Sequence, residues 1–240
     1  MITIFRKIRK TLIESDASGK YSVYAVGEVF LLVIGILIAL QINNWNEEKQ
    51  KNKRELLLLN ELVGNLETNV LNLNMDIEVQ MRSADVIDFL IEHLDNQKPY
   101  FDSMAYFFSM SDFAPDVILA SSAFETLKSS GLELIKSPPL RTEIINLFEV
   151  TYPYLLQETK RLEDQVWPAV VVPMIQKHFR EEKNKYIPVN YDALLNDIEF
   201  TNMLSKRGRM RKSSTEQKRE SKAKTERIID LIKEEIERRT

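Results

Sequence analysis

An all-α, membrane-anchored architecture is what this sequence predicts: an N-terminal interfacial helix, one transmembrane helix, then an extracytoplasmic helical bundle with long helices. Three observations carry that expectation. Val23 to Ile42 is a twenty-residue apolar run interrupted only by Glu28 and Gln41. Downstream, leucine, isoleucine and valine recur at spacings of three and four, the period of a helix with one buried face. Glycine and proline are scarce, 6 and 8 among 240 residues, so little in the chain breaks helices.

Composition bounds the rest. With 44% hydrophobic and 29% charged residues, the chain can bury a sizeable core in one domain plus appendages. Cysteine is absent, which excludes disulfides, thiolate nucleophiles and cysteine-ligated metals. The net charge of −3 hides an asymmetry: residues 205–240 carry 13 Lys and Arg against 7 Asp and Glu, a local +6, which leaves −9 on the rest.

In the opening stretch MITIFRKIRKTLIES, Ile4, Phe5, Ile8 and Leu12 share one helical face, and Arg6, Lys7, Arg9 and Lys10 surround the other. A basic amphipathic helix of that kind lies in the interface of an anionic leaflet. The apolar run that follows, at ~1.5 Å per residue, matches a hydrocarbon core of ~30 Å. Tyr21 and Tyr24 at one end and Trp45 at the other supply an aromatic belt. A buried soluble helix seldom stays apolar on every face for so long. A cleavable signal peptide fits less well: about twenty residues precede the apolar core, and no small-x-small site follows Leu40.

Five Lys and Arg precede the run and four follow within sixteen residues of Trp45. That slight bias places the N-terminus in the cytoplasm and the bulk of the chain in the periplasm, across the inner membrane. The one other compact apolar run, Val166 to Ile175, has ten residues and two prolines, too short and too broken to cross.

On a helix, Ala25, Glu28, Leu32, Gly35, Ala39 and Ile42 step by three and four and share one stripe. Small residues let backbones approach closely in lipid, and intramembrane acids face protein or water. This stripe is the expected membrane contact face. Glu28 also lies within ~8 Å of the interface, where it can take up a proton or snorkel toward Lys20 or headgroups.

From Asn46, the polar stretch NEEKQKNKRE leads into Leu59, Leu62, Leu66, Val70, Leu73 and Ile77 at helical spacing, with no proline before Pro99. A single long helix is therefore expected to leave the membrane and enter the bundle. The run Leu56 to Leu59 is oily on more than one face and calls for covering helices. NQKPYFDS reads as a turn and MAYFFSMSDF as a short aromatic helix of the core. Ser122 and Glu125 form a capping box, so a helix should start there and stop at Gly131 as an αL residue. Ser137 and Pro138 suit a further N-cap and first turn. That helix carries a broad apolar stripe from Leu140 toward Trp167, kinked at Pro153.

Catalytic chemistry is sparse. His93 and His178 are the only histidines, and neither has a second one at metal-ligand spacing. No nucleophile elbow and no glycine-rich phosphate loop occurs. We therefore expect no enzyme, no catalytic, cofactor-binding or metal-binding residue, and no cofactor. Lys128, Ser129, Ser130 and Gly131 offer charge, hydroxyls and backbone donors at a helix end, which makes either a structural corner or an anion site.

The segment KYSVYAVGEVFLLVIGILIALQINNWNEEKQ resembles the N-terminal signature of the DUF6090 family, uncharacterised single-span proteins of Bacteroidota, from Tyr24 to Asn46 with Val26 in place of isoleucine. A second stretch, Ser121 to Arg141, is similar to another family segment, with Phe124 replacing tyrosine. The resemblance implies a membrane-anchored protein with a helical domain outside the cytoplasm, and no activity. The resemblance implies a more apolar C-terminal region. Here no Leu, Ile, Val or Phe occurs between Ser205 and Arg227, so a long exposed helix or a loosely ordered tail is expected. Ile228, Ile229, Leu231, Ile232 and Ile236 then restore an amphipathic helix.

A basic tail raises nucleic acid as a partner, but no aromatics interleave the basic residues and the implied topology is extracytoplasmic. A solvated face, or attraction to the acidic body or to a neighbouring subunit, is the better reading. The chain thus divides into 1–22, a basic amphipathic cytoplasmic or interfacial segment; 23–45, the transmembrane helix; 46–204, a helical bundle domain; and 205–240, a basic C-terminal helix or tail. These readings favour a non-enzymatic interaction or scaffold protein. Its partners would be membrane lipids and either further copies of itself, as a homo-oligomer, or another membrane protein. One alternative is an extracytoplasmic sensor with a ligand pocket near Tyr106, Phe124 or Trp167. Another is a channel or energy-coupling subunit using Glu28.

Overall fold

The computed structural model describes residues 18–239, so the amphipathic helix expected around Ile4 to Leu12 lies outside the described residues. Helix α1, Ser18–Asp95, runs for 78 residues without proline. The chain divides into two compact units between Glu55 and Leu56. In the first unit the helix is long and apolar enough to cross a membrane, and none of its most apolar window is buried by protein. The expected all-α fold is what the structure has, apart from one hairpin.

The second unit begins with the remainder of α1. The chain then folds through α2 (Met104–Asp112), α3 (Ser122–Ser130), a 3₁₀ turn (Leu132–Leu134), α4 (Pro138–Asn146), α5 (Tyr152–Val166) and α6 (Val172–His178). A hairpin of β1 (Phe179–Glu182) and β2 (Lys185–Pro188) follows, then α7 (Tyr191–Leu195) and α8 (Ile198–Glu237). The hairpin has no counterpart in the sequence expectations. Its two-residue turn, Lys183 and Asn184, has both φ values positive, 51° and 59°, the geometry that matches strand twist.

The kink expected at Pro153 is a π turn, Leu147–Thr151, joining α4 to α5. A second π turn, Trp167–Val171, joins α5 to α6. Each closes two residues ahead of a proline, Pro153 and Pro173. A proline ring clashes with the carbonyl four residues back and supplies no N–H, and widening the preceding turn relieves both faults while the helix continues.

The capping box takes a different form from the one expected. Ser121 is the N-cap of α3 and makes no side-chain cap bond. Instead Asn65 of α1 supplies the acceptor: its Oδ1 takes hydrogen bonds from the Ala123 amide and the Ser122 hydroxyl, both at 3.0 Å. Gly131 does end the helix, but at φ 98° and ψ 119°, positive in φ yet outside αL.

Helices α1 and α8 lie antiparallel. Lys233 meets Glu67 at 2.7 Å, Lys222 meets Asn74 at 3.1 Å and Lys212 meets Asp88 at 2.8 Å, so numbers fall on one helix as they rise on the other. Gly208 permits close approach, since a Cβ there would sit 3.1 Å from the Ile87 side chain. Two apolar cores form along this pair. One joins Leu58, Leu62 and Leu66 to Phe124, Ile144, Phe148 and Ile228; the other joins Ile87, Leu90 and Leu94 to Phe108, Phe179, Phe200 and Leu204. Of the oily run Leu56 to Leu59, Leu58 and Leu59 are buried while Leu57 is exposed.

The basic stretch is therefore neither an exposed helix nor a loose tail. Residues 205–227 lie inside α8, and Arg207, Arg211, Thr215, Lys218, Ser221 and Thr225 are buried. Lacking aliphatic side chains, this stretch packs through paired charges instead.

Candidate functional site

Between the two apolar cores lies a charged layer. From α1 come Asp76, Gln80 and Ser83, and from α8 come Arg207, Arg211, Thr215 and Lys218, all buried. The Lys218 ammonium, fully enclosed, meets the Asp76 carboxylate, itself 6% exposed. An ion pair removed so far from water must recover a large desolvation cost, and either partner alone would be stranded.

Further along α8, two guanidinium groups share acids from α2 and α5. Arg207 donates Nη2 to the Asp112 carbonyl at 2.9 Å, meets the Asp112 carboxylate at 3.0 Å and donates Nη1 to Glu163 at 3.3 Å. Arg211 donates to the other Glu163 oxygen. Burial, and then the neighbouring Arg207 charge, push the Arg211 pKa down. Guanidinium nevertheless keeps its proton. Asp112 also accepts from Trp167 Nε1 and from the Tyr186 hydroxyl, each at 3.2 Å. Burial, and then the Asp112 carboxylate, push the Tyr186 phenol up to about 12. It stays a neutral donor at ordinary pH. The cluster can orient elements firmly, but its acids and bases are committed to each other.

Asp112 borders two recesses. One, of about 420 Å³, is lined by Asp116, Lys160, Glu163, Asp164 and Trp167 among others. The second, of about 350 Å³, is lined by Tyr106, Ser109, Glu181 and Tyr186. Of the three aromatics expected near a pocket, Tyr106 and Trp167 line these recesses. Phe124 does not: it is buried and stacked on Phe148 with ring centres 4.5 Å apart.

The residues expected to form a membrane contact face all lie on α1. Glu28, Leu32, Gly35, Ala39 and Ile42 are exposed and Ala25 is half-buried. A Cβ added at Gly35 would meet nothing within 4 Å. Beyond it, the Lys49 ammonium sits 5.4 Å from the Trp45 ring, a cation–π contact near the end of the apolar run.

At the α3 corner, Lys128 donates to Glu149 at 2.6 Å, and Ser129 donates to the Thr126 carbonyl at 2.9 Å. The Glu133 carboxylate lies where a Gly131 side chain would begin. The corner thus already holds two carboxylates close to its donors. Among the described residues, no group of three or more His, Cys, Asp or Glu could hold a metal ion. His93 faces the Pro99 carbonyl at 3.0 Å, and His178 meets Asp197 at 2.8 Å.

An asparagine stripe on α1, absent from the sequence expectations, positions the strap that borders these recesses. Asn65, Asn69 and Asn72, spaced by four and three, hold the chain that returns toward α3. Asn69 both accepts from the Ala120 amide at 2.6 Å and donates to its carbonyl at 2.9 Å, and Asn72 donates to the Ile118 carbonyl at 2.8 Å. Three asparagines at helical spacing beside a leucine stripe were the available signal.

Residues 28–207, three-quarters of the chain, match the family described as a family of unknown function, DUF6090. No curated protein and no solved structure matches the chain. An apolar N-terminal helix left uncovered by protein, followed by a helical unit built around α1, thus belongs to a chain that is a member of the DUF6090 family.

Proposed function

We propose that this protein is a single-pass inner-membrane protein that works as a non-enzymatic interaction or scaffold module. In this reading the N-terminus is cytoplasmic and the helical unit lies in the periplasm. The observation that carries it is the uncovered apolar window of α1: Val26 is 69%, Leu32 62% and Ile42 60% exposed in the single chain. At about 25 cal/mol per Å² of apolar surface, such a face strongly favours lipid or another helix over water. The stripe Ala25, Glu28, Leu32, Gly35, Ala39 and Ile42 is then the face for a second copy or another membrane protein, the rest facing lipid. The non-enzymatic part is supported by the commitment of both histidines and the buried acids to structural pairs. The same commitment of Arg207, Arg211 and Lys218 to internal acids disfavours nucleic acid as a partner.

The test is cross-linking in native membranes. A cysteine at Gly35 should give a disulfide-linked dimer or a heteromeric adduct, and one at Val33, off the stripe, should not. Equal linking at both positions would remove the stripe as the contact face.

The recess beside Trp167 favours a second reading, a ligand-sensing module. A metabolite panel that raises the melting temperature of the full chain, with Trp167→Ala abolishing the shift, would support it. No shift across the panel, or a shift that Trp167→Ala leaves intact, would count against it.

A further inference from the structure

Between α2 and α3 the chain runs as an extended strap. Its ends are fixed. Asp112 is held by Arg207, Trp167 and Tyr186, and Ile118 and Ala120 by Asn72 and Asn69. Among the described residues, the main chain of Ala114, Pro115, Asp116 and Val117 takes part in no hydrogen bond. A recess of about 420 Å³ lies against the strap on the side of Lys160, Asp164 and Trp167, and another of about 250 Å³ lies against it on the side of Met75 and Val79. Asp116 lines both. Neither its carboxylate nor the Lys160 ammonium has an ion-pair partner among the described residues.

We propose that Ala114–Val117 is a hinged flap with two positions: the one in this structure, and one swung into the larger recess with Asp116 paired to Lys160. A segment with firm anchors, no main-chain bonds between them and space on both sides opens at little free-energy cost. Pro115 stiffens the middle, so the segment moves as a unit. Asp164, one turn beyond Lys160 and lining the same recess, competes for the ammonium and keeps the two positions close in energy. The flap moves whether or not a ligand enters the recess.

Because the chain has no cysteine, spin labels on Ala114→Cys and Glu61→Cys report a single distance in the full protein in nanodiscs. Two distance populations are expected. Asp116→Asn and Lys160→Ala should each shift their ratio toward the present position by about 1.4- to fivefold, the range of an exposed ion pair. The swapped pair Asp116→Lys with Lys160→Asp should restore the ratio. A single narrow population, or a ratio that neither substitution moves in that direction, overturns the flap.

Discussion

Lys218 and Asp76 form the sharpest test of the charged layer. Lys218→Met leaves a carboxylate that is 6% exposed with no cation beside it, and Asp76→Leu leaves a fully buried ammonium alone. Each single change should cost about 3–5 kcal/mol, the range for stranding one member of a buried pair. The double substitution replaces the pair with apolar groups beside Leu73 and Ile77, both already buried. It should lie between neutral and about 1–4 kcal/mol more stable than the parent. Chemical denaturation of the full chain in detergent, followed by far-ultraviolet circular dichroism, gives all four stabilities if the slopes stay equal. Single substitutions that cost under about 1 kcal/mol, or effects that simply add, would show that Lys218 and Asp76 are not a coupled buried pair.

Three further outcomes follow from the same geometry. Asn69→Ala leaves the Ala120 amide and carbonyl without partners and should cost about 2–4 kcal/mol, whereas Asn72→Ala, which loses one exposed bond, should cost about 1 kcal/mol or less by the same chemical denaturation. The hydrogen bond from Lys177, with those from His178 and the Phe200 and Glu199 amides, holds the Asp197 carboxyl well below the usual carboxylate range despite its burial. With a folded pKa below the unfolded one, its contribution is present above about pH 4 and fades as pH falls through the folded value. Asp197→Ala should therefore cost about 0.5–2 kcal/mol at neutral pH and progressively less in acid. Gly131→Ala puts a side chain at φ 98° against Glu133 and should cost about 1–2 kcal/mol, read as a lowered melting temperature.

Periodicity carried most of the fold. The stripe from Leu59 to Ile77 and the proline-free run to Pro99 are enough to require α1, and Ser137 with Pro138 places α4 correctly. What aliphatic counting could not see was packing by charge. Residues 205–227 read as unpacked because they lack leucine, isoleucine, valine and phenylalanine, yet Arg207 and Lys218 are among the most enclosed side chains of the chain. Their partners, Asp112, Glu163 and Asp76, are 95, 44 and 142 positions away, and no local pattern links such pairs. The hairpin turn Lys183–Asn184 was missed because its strands are only four residues each, too short for an alternation to stand out. At the sites the same division holds. The stripe around Glu28 follows from spacing alone, whereas the recess beside Trp167 depends on a strap fixed by Asn69 and Asn72, a long-range contact.

A single-cysteine scan from residue 20 to residue 54 of this cysteine-free chain in native membranes would reveal whether lipid surrounds the apolar part of α1, as proposed. With a water-soluble thiol reagent, one unbroken protected stretch across Val26 to Ile42 is expected, with reactivity returning beyond Trp45 on the opposite side of the membrane from Lys20. Reactivity throughout, or protection recurring every three to four residues as on a helix packed against protein in water, would contradict it.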